Sequence, residues 1–454
     1  MPGNEQRRVK LSHRARTRPA AGIRTLFPKE KVPGMISLLA GKPNEKSFPF
    51  KALTIDTQGA DGEDVKLKVD GEELAEALNY GLTPGITGLV QWLMEFQARA
   101  HNRPIGPDWR LNLGAGSQDL IIKTFEAMMD RGDVILAEDP VYAGVLPALE
   151  SQGCRVVPVP TNRDGIIVSQ LQHILENWES APMTKDLPRP KCLYTSPTGG
   201  NPSGTTQTEA VKEGVLREAI KHDFTILEDD PYYYLEYPTA GAPASSAVDR
   251  PRPRSYWSMD YEWGNGHVVR FESFSKLIGA GLRVGFAMGP AYILDAVDAH
   301  TANTNLQPSG LSQVVIYSLL RNWGSEGFYK HVDRTAAMYR EKAVRFEECA
   351  RRILCKPGLA RFETPTAGMF LWLELNLPES KADTMAFISE KAVPAGVLAV
   401  PGFVFLPLPQ RTKYVRVSFS KLADEDFEEA CMRLKRAVEA CWEEVGESVP
   451  EVGV

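Results

Sequence analysis

Lys191-Cys192-Leu193-Tyr194-Thr195, then Ser196-Pro197-Thr198-Gly199-Gly200-Asn201-Pro202-Ser203-Gly204, then a helical pattern over 208–221, then Thr225-Ile226-Leu227: this order decides the fold. A short apolar run, a turn-rich loop, a helix and a second short apolar run make one crossover unit. The alternation continues in both directions, from about residue 110 to about 290. Further strands are expected at 134–137, 155–159, 268–271 and 283–287. A helix is expected over 119–130, where Ile121, Phe125, Met128 and Met129 share one face. Apolar strands alternating with helices predict an α/β fold with a mostly parallel sheet flanked by helices. From about 311 the pattern changes to helices at 311–322 and 327–354, strands at 369–375 and 414–418, and a last helix at 424–444. That reads as a smaller α+β domain. The expected division is an N-terminal arm at 1–50, a large domain at 51–310 and a small domain at 311–454. Two polar stretches, 57–70 and 238–253, read as surface loops.

The 454 residues suffice for two or three domains with their own cores. Hydrophobic residues at 43% and charged residues at 24% exclude a disordered chain. A net charge of −6 lacks the basic face that nucleic-acid binding needs. The longest apolar runs, such as the one from Val314 to Leu320, fall well short of the ~20 residues of a membrane span. Six cysteines with no C-x-x-C pair read as reduced thiols of a cytosolic protein. The first 24 residues are rich in Arg, with no apolar core of a secretory signal behind them. A mitochondrial transit peptide shares that bias. Glu5 and the missing apolar stripe favour instead a solvated, partly disordered arm on a cytoplasmic protein.

In open parallel sheets, ligands bind beyond the carboxyl ends of the strands. The segments directly after the strands are where the polar oddities fall. Leu113-Gly114-Ala115-Gly116-Ser117-Gln118 runs from an apolar stretch into a helix. Small residues and a helix start suit a single phosphate, with Ser117 as donor; the alternative is a glycine-eased turn with Ser117 as helix cap. The motif is neither a dinucleotide fingerprint nor a Walker loop. Glu138-Asp139-Pro140-Val141-Tyr142 offers an aromatic that could lie flat on a planar ring, or simply pack. The loop around Asn201 could hold out its amide, or be a structural turn. Glu228-Asp229-Asp230-Pro231-Tyr232 closes an apolar strand with acids. Their desolvation asks for a cationic or proton-bearing partner, such as a protonated heterocycle nitrogen. A metal would serve, but the seven His are scattered; a solvated acidic turn stays open too. Ser273-Phe274-Ser275-Lys276, with Gly281-Leu282-Arg283 behind it, places an amine at the sheet rim. Partial desolvation lowers a lysine's proton affinity and makes it a nucleophile towards carbonyls. Ser273, Ser275 and Arg283 are donors suited to a phosphate.

The ordered set resembles the fold-type I, pyridoxal phosphate-dependent class I/II aminotransferases. Within them the chain is similar to the kynurenine/2-aminoadipate and fungal aromatic amino acid aminotransferases. The likeness runs from about Pro19 to Val438. It includes Ile36-Ser37-Leu38-Leu39-Ala40-Gly41-Lys42-Pro43-Asn44, Thr366-Ala367-Gly368-Met369-Phe370-Leu371-Trp372 and Val415-Arg416-Val417-Ser418-Phe419-Ser420. The resemblance implies that Lys276 holds pyridoxal 5′-phosphate as a Schiff base and shuttles a proton. It implies that Asp229 pairs with the ring nitrogen, that Tyr232 and Asn201 bond the ring's phenolic oxygen, and that Tyr142 stacks on the ring. Ser117, Gln118, Ser273, Ser275 and Arg283 would hold the phosphate. Tyr80 would reach the phosphate of a neighbouring subunit, which makes a homodimer with shared sites. Arg416 would clamp the substrate α-carboxylate. Arg24, in Ile23-Arg24-Thr25, would meet the substrate side chain from a mobile N-terminal lid, with Gly41 also lining the substrate.

The expected activity is a ping-pong transfer of the amino group of an aromatic amino acid, 2-aminoadipate or kynurenine to a 2-oxo acid, 2-oxoglutarate above all. Small molecules, not nucleic acid or membrane, are the expected partners, with no metal. A β-lyase or synthase on the same fold is the first alternative. A ligand-sensing regulator domain is the second; residues before Ile36 are too few for the winged-helix domain such regulators carry.

Overall fold

The computed structural model describes residues 10–19, 22–23, 26, 29–30, 32–39, 41–237, 252–264 and 266–449. Strands β3 (Trp109–Gly114), β4 (Val134–Asp139), β5 (Arg155–Asn162), β6 (Gly165–Ile166), β7 (Pro190–Thr195), β8 (Thr225–Asp229), β9 (Val268–Ser273) and β10 (Gly285–Pro290) build one sheet. They follow a hairpin of β1 (Ala52–Gln58) and β2 (Asp64–Asp70). The order across the sheet is β3-β10-β9-β8-β7-β4-β5-β6. Every pairing from β9 through β8, β7 and β4 to β5 is parallel. Helices separate these strands in sequence, as a crossover requires. Only short turns lie between β9 and β10, so β10 returns antiparallel to β9 and to β3. The sheet is therefore parallel at its centre and mixed at its edges.

Helices cover both faces. Ser117–Met128 and Ala291–Thr304 pack on one, through Ile121, Phe125, Leu294 and Val297. Glu209–His222 and Tyr256–Trp263 pack on the other, through Val215, Leu216, Tyr256 and Trp257. That second core continues into a four-stranded antiparallel sheet of β11 (Ala360–Arg361), β12 (Phe370–Leu375), β13 (Val400–Pro401) and β14 (Tyr414–Ser418). The helices expected at 311–322 and 327–354 form one run, Gly310–Ala350, interrupted at Gly324, whose φ of 62° only glycine adopts readily. Among the described residues no helix is long and apolar enough to cross a membrane.

Two expectations are corrected. The stretch 57–70 is not a loop: most of it belongs to the β1–β2 hairpin, in register from Ala52↔Asp70 to Gln58↔Asp64. Its inward residues alternate, Leu53 and Ile55 against Leu67 and Val69, and Val69 is fully buried beside Leu74 and Val314. Of the other expected loop, 238–253, all but the last two residues lie outside the described residues. The described start of the arm is docked at Leu11 and Ser12, which are buried, while His13, Arg14, Arg16 and Thr17 are exposed as expected of a solvated arm. The Ser12 N–H donates to Ala127 O and its hydroxyl to Glu126 O, both at 2.8 Å. Those carbonyls are among the last of helix Ser117–Met128, which has no intrahelical donors left for them. Arg14 pairs with Glu126, and His13 N–H donates to Asp130.

Candidate active site

The acids that close β8 separate by the alternation of a strand. Glu228 lies opposite Arg270 of β9 in the register. Glu228 and Asp230 point to the same side, where the fully buried Arg270 guanidinium meets them at 2.8 and 3.0 Å and Glu272 at 2.9 Å. Asp229 points to the opposite side, under helix Ser117–Met128. There Tyr194, from the neighbouring strand β7, donates its hydroxyl to Asp229 Oδ2 at 2.5 Å. Oδ1 is buried and has no partner among the described residues. Burial pushes the carboxyl up to about 7, against the pull of Tyr194.

The donors expected at a phosphate converge around the start of helix Ser117–Met128. Gly114, Gly285 and Ser273 stand opposite one another on β3, β10 and β9. A Cβ on Gly285 would lie 2.5 Å from the Ser117 N. Only glycine lets these strands close on the start of helix Ser117–Met128. Gly116 enters that helix at φ 91°, and a Cβ there would strike the Arg283 guanidinium. Arg283 donates to Ser275 Oγ at 3.2 Å and to Ala115 O at 3.0 Å. The Ser275 N–H in turn donates to Ser273 Oγ at 3.1 Å. Gln118 turns to Gly144 O at 2.7 Å, beside the Tyr142 ring.

Lys276 follows β9 in the turn Ser275–Gly279 and is half-buried. Burial, then the charges of Arg416 and Arg283, hold its ammonium below the usual lysine range. Arg416, on β14 between β12 and β13, is half-buried as well. Its guanidinium lies over Phe370 at 4.5 Å and near Phe405 at 5.2 Å, and donates to Asn201 Oδ1 at 2.9 Å. Its Nε is buried without a partner among the described residues. Tyr232 is buried edge-on to Phe370; desolvation first, then Asp229, push its hydroxyl well up. Tyr142 is raised for the same two reasons. Val141 N–H donates to Phe405 O at 2.8 Å, which fastens the Tyr142 segment to the Arg416 side.

The charges of Arg416 and Arg283 thus act on Lys276, those of Asp229 and Arg416 act on both Tyr232 and Tyr142, and Asn201 joins them through Arg416. Tyr80 and Gly41 stand apart on the surface, with Tyr80 half-exposed and open space around Gly41. Arg24 lies outside the described residues. Sequence reasoning missed Tyr194, Phe405 and Arg270. It also missed Glu138, a buried acid that accepts hydrogen bonds from Thr195, Ser196 and Gln207 at 2.6, 3.1 and 2.5 Å beneath the Asn201 loop. For Tyr194, Arg270 and Glu138 the one signal available was a hydroxyl or charge inside a short apolar run; Phe405 carried none.

The profile of the family "Aminotransferase class I and II" matches residues 63–434. Aminotransferase tdiD of Emericella nidulans is 40% identical over 433 residues, covering 95% of either chain. The mitochondrial kynurenine/alpha-aminoadipate aminotransferase of Mus musculus is 35% identical, over 93% of this chain and 95% of its own. Among solved structures, the aromatic aminotransferase Aro9 of Candida albicans superposes with a TM-score of 0.85 at 28% identity, covering 97% of this chain and 99% of its own. The chain belongs to the class I and II aminotransferases, fold-type I enzymes that move amino groups with pyridoxal 5′-phosphate.

Proposed function

We propose that the amino donor is an aromatic amino acid, kynurenine or 2-aminoadipate, and that the acceptor is a 2-oxo acid, 2-oxoglutarate first. The relatives named for those donors support this, as does the aromatic lining of Phe370 and Phe405 around Arg416. The observation that carries the reading is a pair of buried polar atoms without partners among the described residues, Asp229 Oδ1 and Arg416 Nε, with the half-buried amine of Lys276 in the field of Arg416. One asks for a cation and the other for an anion.

Those residues fit the cofactor. Pyridoxal 5′-phosphate supplies an electron-withdrawing ring that takes up the electron pair left when an amino acid loses its Cα proton. Asp229 would hold the ring nitrogen and keep it protonated. Ser117, Gln118, Ser273, Ser275 and Arg283 would hold the phosphate, with the helix start adding its partial positive charge. Tyr142 would lie along the ring face, and Tyr232 and Asn201 would reach the phenolic oxygen. Arg416 binds the substrate α-carboxylate and fixes which Cα bond stands ready to break, favouring loss of the proton over loss of CO2. Lys276 is then the base that takes the Cα proton and returns it. Its lowered proton affinity suits that task near neutral pH.

The subunits pair, on this reading, as a homodimer in which Tyr80 reaches the partner's phosphate. Ile36 and Leu38, 88% and 99% exposed, are apolar surface that a second copy would cover. The arm at 1–50 is the proposed lid, with Arg24 and Gly41 on the substrate, over a large domain at 51–310 and a small one at 311–454. The proposed compartment is the cytoplasm: a leader cut after Ser12 would remove that residue from the end of helix Ser117–Met128.

An amino-donor panel with 2-oxoglutarate tests the function. Tryptophan, phenylalanine, tyrosine, kynurenine or 2-aminoadipate yields the matching 2-oxo acid and glutamate. Pyruvate with ammonia from a β-substituted amino acid, and no glutamate from any donor, would overturn it.

A further inference from the structure

The two oxygens of Asp229 stand in different situations: Oδ2 has the Tyr194 hydroxyl at 2.5 Å, and Oδ1 has no partner among the described residues. Tyr194 is fully buried on β7, with its ring against Phe125 of helix Ser117–Met128, centroids 6.4 Å apart and planes at 65°. The ring is therefore enclosed, and its hydroxyl donates to Asp229 Oδ2. The other charged or titratable groups around Asp229 have different commitments. Arg270 and Asp230 are joined to each other on the far side of the strand, with Glu228 and Glu272. Glu138 is held by Thr195, Ser196 and Gln207. Tyr142 and Tyr232 influence the carboxyl through space only. Tyr194 is thus the one hydrogen-bond donor to Asp229 among the described residues.

We propose that Tyr194 is a positioning residue for the cofactor: its hydroxyl pins Oδ2, so that Oδ1 is presented to the ring nitrogen as an ionised carboxylate. The inference rests on the reading of Asp229 given above. Burial drives the carboxyl towards its neutral form, and a hydrogen bond to the charged form opposes that drive. Burial also keeps the tyrosine protonated, so it donates throughout the working pH range.

Tyr194→Phe keeps the ring and removes the donor. Its dissociation constant for pyridoxal 5′-phosphate, from fluorescence titration of the apo-protein at pH 7, should rise roughly tenfold or more. The acid limb of the turnover–pH profile should move up by about one pH unit. A dissociation constant within about twofold of the wild type and an unmoved limb would overturn the inference. Phe125→Leu loosens the same packing and keeps the hydroxyl. It should leave the limb in place; an equal movement there would make packing the cause and overturn the assignment. Added to Asp229→Asn, the Tyr194→Phe change should weaken cofactor binding no further, because the two act through one bond. A full additive loss would contradict that. If Asp229→Asn alone binds the cofactor as the wild type does, the reading of Asp229 falls and this inference with it. If Asp229→Asn weakens binding and Tyr194→Phe does not, only the inference falls.

Discussion

At the scale of the residue, three consecutive acids meet three different fates. Glu228 and Asp230 share Arg270, and Asp229 is left with one neutral donor and one open oxygen. The sequence announced that these acids needed a partner. It did not say that strand alternation would split them, because Arg270 lies on another strand about forty residues later and no spacing links the two. Lys276 and Arg416 were legible, each standing just after or within an apolar run. Lys276→Ala should lower turnover about a hundredfold or more, since a positioned proton carrier contributes ~10²–10⁴. Stopped-flow measurement of substrate deprotonation checks this. Turnover within about tenfold of the wild type would remove Lys276 from the chemistry. Arg416→Gln should raise KM and lower kcat for every amino acid, by about a hundredfold in kcat/KM, because it removes both carboxylate bonds and leaves Asn201 unpaired. A loss confined to some donors would contradict the clamp.

At the scale of the element, the proposed phosphate cradle depends on how closely backbones approach. Gly285 lets β10 come against the first turn of helix Ser117–Met128, and no side chain fits there. Gly285→Ala should cost about 1–3 kcal/mol of stability by forcing the strand and helix apart. It should weaken the cofactor's hold at the same time. Thermal unfolding with and without excess cofactor measures both, and an unaffected melting temperature would count against the close approach. The strands of the central sheet were read from short apolar runs, because strands buried on both faces carry no alternation to confuse. The β1–β2 hairpin was missed for the opposite reason. Its outer residues, Asp56, Lys66 and Lys68 among them, are polar enough to mimic a loop, while Leu53, Ile55, Leu67 and Val69 alternate between them. The docked arm was missed too, because Ser12 answers carbonyls more than a hundred residues away.

At the scale of the whole molecule, the site joins two sheets, with Arg416 of the small sheet bonded to the Asn201 loop of the large one. Glu138 supports that loop from below, and burial pushes its carboxyl up to about 7. A carboxyl raised in the fold adds stability that is complete below its unfolded value, near pH 4, and is lost as pH rises through 7. Glu138→Gln never ionises. Its melting temperature relative to the wild type should therefore improve by roughly 2–4 °C between pH 5 and pH 8. A difference independent of pH, read by calorimetry, would show that Glu138 is ionised throughout.

The central claim is that one amine, Lys276, carries the cofactor. Borohydride reduction of the yellow holoenzyme, followed by peptide mass spectrometry, tests it directly. The expected result is one phosphopyridoxyl group per chain, on the peptide containing Ser275 and Lys276. The group on any other lysine, or a chain that takes up no cofactor, would contradict it.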